Sequence, residues 1–85
     1  MASYKIDFKK SVAKDLKDIP KKDVTRILEA IQLLADNPRP IQAKKLSGQE
    51  RYRLRQGNYR ILYSIEDNIL VVTVVKIGNR RDVYR

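Results

Sequence analysis

The step between apolar residues changes twice along this chain, and those two changes limit what it can fold into. Residues 3–8 alternate, with Tyr4, Ile6 and Phe8 on one side and Lys5 and Asp7 on the other, as in a half-buried strand. From about residue 9 the step lengthens to three and four. Val12, Leu16 and Ile19 form one helical stripe, and Val24, Ile27, Leu28, Ile31 and Leu34 form a second. Pro20 separates the stripes, because a proline ends one helix and can open the next. Two helices are therefore expected, a short one ending at Pro20 and a longer one over residues 21–35.

Beyond the breaker cluster Asp36-Asn37-Pro38-Arg39-Pro40 the step shortens to two. Tyr52 and Leu54 alternate with Arg53 and Arg55, Gln56-Gly57-Asn58 turns, and Tyr59, Ile61, Tyr63 and Ile65 share one face of the returning strand. Asp67-Asn68 is a second turn, before the run 69–75, whose apolar residues fill both faces and suit a central strand. Residues 43–46 read either as a short edge strand or as loop. The expected fold is α+β: an N-terminal strand, a two-helix hairpin, then an antiparallel meander of three to four strands, helices on one face and the other face open. At 85 residues, 1–85 forms a single domain with room for one core and none for a deep cleft.

Charge is arranged by type as well as amount. The formal charge is +9, and seven of nine arginines lie between Arg51 and Arg85, where only one lysine occurs. Before Arg51 there are nine lysines and two arginines. A planar guanidinium binds phosphate oxygens bidentately and stacks on bases, as an ammonium does not. Alternating basic residues ordinarily form a strand's solvated face, and Tyr52, Tyr59 and Tyr63 share faces with core residues; arginine sorting, net charge and an open sheet face together point to a polyanion. Arg53 and Arg55 fall on one face, Arg60 can join them across the ladder, and Arg80 and Arg81 follow an Ile77-Gly78-Asn79 turn. Lys44, Lys45, Arg51 and Arg81 are further candidates for contact with that polyanion.

Absences sharpen this reading. The sequence has no histidine and no cysteine, which removes histidine bases, thiolate chemistry, disulfides and nearly all zinc sites. No cofactor is implied. Glu66, Asp67 and Asp82 are the only carboxylates after Arg51, a poor basis for a metal-dependent nuclease. No signal peptide or spanning stretch is visible, so no membrane role is expected, and a cysteine-free chain suits the cytoplasm.

The segments Ala43-Lys44-Lys45-Leu46-Ser47-Gly48, Gly57-Asn58-Tyr59-Arg60-Ile61-Leu62-Tyr63 and Gly78-Asn79-Arg80-Arg81-Asp82-Val83-Tyr84 resemble those of RelE toxins, in the RelE/ParE superfamily of toxin-antitoxin pairs. The resemblance implies a metal-independent endoribonuclease that enters the ribosomal A site and cuts mRNA with the RNA's own 2′-hydroxyl as nucleophile. It implies that Arg60 holds the scissile phosphate, that Arg80 adds a second guanidinium, and that Tyr84 stacks on a base and orients the nucleophile. Arg53 and Arg55 stand where familiar relatives carry lysines. An arginine keeps its proton and is a poor general base, so Tyr84, a ribosomal group or electrostatic stabilisation alone must serve. The resemblance further implies an acidic RelB-like antitoxin that wraps the domain, docks on the apolar part of the helix face and binds operator DNA for the pair. A ParE-like inhibitor of DNA gyrase and a noncatalytic RNA-binding protein are the alternatives.

Overall fold

The computed structural model describes residues 3–46, 48 and 50–79. Strand β1 (Lys5–Phe8) leads into α1 (Lys10–Lys17) and α2 (Lys21–Leu33), and β2 (Lys44–Lys45), β3 (Arg51–Gln56), β4 (Tyr59–Glu66) and β5 (Val71–Asn79) follow. The strands form one sheet in the order β1-β5-β4-β3-β2. All neighbours are antiparallel except β1, which pairs parallel with β5, Lys5 opposite Val71 and Phe8 opposite Val74. A parallel pair needs a crossover, and the helical hairpin begins it.

Both helices pack on one face of the sheet. Val12, Ile19, Ile27, Ile31 and Leu34 meet Leu54, Ile61, Tyr63, Ile65, Val72, Val74 and Ile77 in one buried cluster. Each fully buried aliphatic side chain contributes on the order of 1.5–3 kcal/mol. Leu28, expected on the apolar stripe, is instead exposed. Leu34 is buried from its position just past α2, as the helix C-cap.

Several expectations are corrected. The apolar run does not begin a strand at Ile69: residues 67–70 form the turn, and Ile69 and Leu70 are exposed. Leu70 takes a left-handed φ of 54°, unfavourable for a side chain with a Cβ, while its carbonyl accepts the Lys5 N–H at 2.8 Å and so docks β1. Ile77-Gly78-Asn79 is strand rather than turn, because Ile61, Arg60 and Tyr59 of β4 pair with these residues in turn. The middle of the sheet is β4, and β5 lies between it and β1. Phe8 remains 46% exposed, since β1 is an edge strand. Residues 44–45 settle the open reading of that region as a two-residue edge strand whose lysines discourage further pairing.

An irregularity in the β4–β5 ladder sets which β5 residues face the helices. Leu62 pairs with Lys76 and Tyr63 with Val74, so Val75 is passed over. This bulge lets Val72, Val74 and Ile77 all enter the core despite the odd spacing between the last two. Past Phe8, β5 loses β1 as neighbour, and Asp15 of α1 takes over. Its carboxylate accepts the Ile77 N–H at 3.2 Å and lies 3.9 Å from the Lys76 ammonium.

Candidate RNA-binding face

The hairpin β3–β4 assembles the basic face. Gly57, with φ +59°, occupies the first central position of a two-residue turn, as type II′ hairpins require. Gln56 and Tyr59 close that turn, which fixes the register: Arg55 lies directly opposite Arg60, and Arg53 opposite Leu62. Opposite residues project to the same side, so Arg53, Arg55 and Arg60 share the face turned away from the helices. Arg51 follows at the same parity, opposite Ser64, and Lys44 pairs with Arg53 from β2.

Arg55 and Arg60 flank the pair that closes the turn, at a position where opposing side chains stand closest. Two arginines directly opposite one another bring two guanidinium-bearing side chains to one side of the hairpin, a pairing suited to phosphate oxygens. On the far side of Arg60 lies Gly78, which adds no side chain to this face. Arg60 itself is half-buried, with its Nε withdrawn from solvent. The face is not wholly open as expected, for Leu62 projects onto it between Arg53 and Lys76 and is only 8% exposed.

Gln42, Lys44, Arg53, Arg55 and Gly57 line a shallow cavity of about 380 Å³. Three cations and one carboxamide form its polar side chains, which suits phosphate oxygens. Lys45 is turned differently: it pairs in register with Tyr52, whose parity belongs to the helix side, and its ammonium lies 3.4 Å from the Glu50 carboxylate. Arg80, Arg81 and Tyr84, expected beside Arg60, lie outside the described residues. Among the described residues no group of three carboxylates comes together that could hold a metal, and no helix is long and apolar enough to cross a membrane.

A second polar cluster, not anticipated from the sequence, holds the loop that leads into this cavity. Both terminal nitrogens of Arg39 donate to Asp67, at 3.0 and 2.8 Å, and Arg39 Nε donates to the Tyr52 hydroxyl at 3.0 Å. The Tyr4 hydroxyl donates to Asp67 at 2.6 Å. These hydrogen bonds, from Arg39 first and Tyr4 second, hold the Asp67 carboxyl down at about 2, while Asp67 raises both Arg39 and the Tyr4 phenol. Tyr63 stacks on Tyr52, with ring centres 5.7 Å apart, and donates its hydroxyl to the Pro38 carbonyl at 2.7 Å. Burial pushes the Tyr63 phenol up to about 12. The breaker cluster is thus tied to β3, β4 and the β4–β5 turn. Nothing in the sequence signals this cluster: Tyr52 and Tyr63 read as packing residues, and Arg39 and Asp67 are joined solely by the fold.

Known proteins share this architecture. A family model for the ParE toxin of type II toxin-antitoxin systems, parDE, matches residues 6–84. The protein named toxin RelE1 of Methanocaldococcus jannaschii is 31% identical over 86 residues, 96% of either chain. Toxin RelG of Mycobacterium tuberculosis is 29% identical, over 96% of this chain and 97% of its own. Among solved structures, a chain of the RelE-RelB complex from Pyrococcus horikoshii aligns with a TM-score of 0.84 at 31% identity, covering 95% of this chain and 99% of that one. A chain of the M. tuberculosis RelBE2 toxin-antitoxin complex gives 0.81 at 26% identity, covering 92% and 99%.

Proposed function

Because the chain belongs to the RelE/ParE family of toxins from type II toxin-antitoxin systems, we propose that it is a ribosome-dependent endoribonuclease cutting mRNA in the A site. The observation that carries this reading is the Arg55–Arg60 pair, opposite one another on an arginine-rich face with Gly78 beside it. In the reaction the 2′-oxygen of the substrate attacks the adjacent phosphorus and loses its proton to a base. The bond from phosphorus to the 5′-oxygen then breaks, and that oxygen takes up a proton, leaving a cyclic phosphate and a 5′-hydroxyl. Negative charge gathers on the non-bridging oxygens as the phosphorus becomes five-coordinate. Arg60 and Arg55, approaching from neighbouring strands, stabilise that charge more in the transition state than in the ground state.

Arg53 and Lys44 hold the substrate strand, and Arg80 and Tyr84 supply a further cation and a phenol whose ordinary pKa is about 10. Arg60→Ala should lower ribosome-dependent cleavage by a factor of about 10² to 10³, on the order of 3 kcal/mol in transition-state stabilisation. Primer extension on programmed ribosomes measures it; undiminished cutting would remove Arg60 from the reaction.

The partner is an acidic antitoxin of the RelB kind, encoded beside the toxin, that neutralises the basic face; relatives were solved as RelE-RelB complexes. Through the antitoxin the complex binds operator DNA. Co-expression with the neighbouring reading frame tests this, and failure either to copurify or to restore growth would refute it. A ParE-like action on DNA gyrase is the second reading, favoured by the ParE description of the matching family model and by arginines at positions 53 and 55. Inhibition of supercoiling without mRNA cleavage would establish it instead.

A further inference from the structure

β2 pairs only with Tyr52 and Arg53, so among the described residues no strand covers the outer edge of β3 over residues 54–56. Two cavities lie along this edge and share two lining residues. The first is the cationic one on the arginine face, with Lys44, Arg53 and Arg55. The second, about 350 Å³, lies between the end of α2 and β3, and its apolar lining is Ala30, Leu33, Leu34, Pro40 and Leu54. Gln42 and Arg55 belong to both linings, so a carboxamide and a guanidinium stand at the boundary between a cationic and an apolar space.

We propose that these neighbouring cavities form a subsite for the nucleotide next to the scissile phosphate, with Gln42 reading its base; the substrate class rests on the ribonuclease reading above. A nucleotide has the same two halves as the site, an anionic phosphate and a planar, largely apolar base. With the phosphate on Lys44 and Arg53, its base can turn over the β3 edge into the space beside Leu33 and Pro40. The volume is adequate, near the lower end of the roughly 300–1,000 Å³ usual for small-molecule sites. Arg60 is one strand from β3 and two from β2, about 5–10 Å at the usual strand spacing, so one RNA strand crossing the sheet can meet both positions.

Gln42 offers a donor and an acceptor side by side, the arrangement by which a carboxamide pairs with the edge of a base. Asp36, in the apolar cavity's lining, repels phosphate there and sets which half of the nucleotide enters. It also disfavours an acidic peptide as occupant. Leu33, in the apolar cavity's lining, is 68% exposed, and Ile41, the chain neighbour of the lining residues Pro40 and Gln42, is 99% exposed.

Two measurements test the subsite. Cleavage mapped on ribosomes presenting every A-site codon should show a base preference beside the cut, and Gln42→Ala should reduce that preference about tenfold while sparing the others. An absent preference, or one unchanged in the variant, overturns the role of Gln42. Independently, single-stranded RNA hexamers should shift the NMR signals of the Gln42 carboxamide and of the Leu33 and Leu34 methyls, whereas inorganic phosphate should leave the methyls in place. Methyls that do not respond to RNA, or respond only to an acidic hexapeptide, overturn the subsite. Methyls that respond to RNA in a protein that cuts nothing retain the subsite and refute the ribonuclease reading instead.

Discussion

Tyr63→Phe removes one oxygen from the centre of the domain, and its cost can be worked from the surroundings. The side chain is fully buried and its hydroxyl donates to the Pro38 carbonyl at 2.7 Å, with Pro38 itself buried. Phenylalanine keeps the ring and its stacking on Tyr52 but leaves that carbonyl without its donor. Leaving a buried acceptor unsatisfied costs about 1–3 kcal/mol, so a loss of about 2 kcal/mol is expected. In a domain of this size that corresponds to a fall in Tm of roughly 8–16 °C. Urea unfolding followed by circular dichroism gives the free energy, with Tyr52→Phe, whose hydroxyl bonds Arg39 near the surface, as the milder comparison. Alkali supplies a second readout. Because the folded Tyr63 phenol is pushed up to about 12, its contribution is complete below pH 10 and is lost as pH rises from 10 to 12. The variant should lack that part of the alkaline decline. A variant within 0.5 kcal/mol of the parent, with an unchanged alkaline limb, would refute the argument that Tyr63 anchors the breaker loop.

Asp67 makes the opposite statement in acid: its folded pKa of about 2 lies below the ordinary 3.8, so its stabilisation is complete above pH 4 and disappears as pH falls toward 2. Arg39→Ala should flatten that acid limb in urea titrations between pH 2 and 5, and an unchanged limb would show that the Arg39–Asp67 pairing is not maintained in solution. Removing Arg53 or Lys44 should each lower the log-log salt slope of single-strand RNA binding by about 0.7, measured by fluorescence anisotropy. Asp15→Ala should cost about 1–2 kcal/mol, because the Ile77 N–H at the uncovered edge of β5 loses its acceptor; equal stability would mean that water serves that edge as well.

How much could be read from the sequence depends on whether local or distant forces fix a residue. The helical stripes and the β3–β4 hairpin were legible, because a period of 3.6 or two and a Gly-Asn turn are properties of neighbouring residues. Arg53, Arg55 and Arg60 were placed on one face correctly, since a two-residue turn fixes register as well as direction. Ile77, Gly78 and Asn79 carry a turn signal, yet pairing with β4 draws them into a strand, an outcome only tertiary contact decides. The bulge that passes over Val75, the bond between Arg39 and Asp67, and the shared lining of one cavity by Gln42 and Arg55 likewise bring together residues with no shared local pattern.

The parallel pairing of β1 with β5 also governs timing. Lys5 waits for Val71, far along the chain, and Gly78 must likewise be made before the row beside Arg60 is complete. Contacts this distant in sequence close late and slowly. During synthesis the helices and the β3–β4 hairpin can form as they emerge, but the finished sheet cannot. The arginine face therefore gains its full support only once the residues through Gly78 are available to pair with β4.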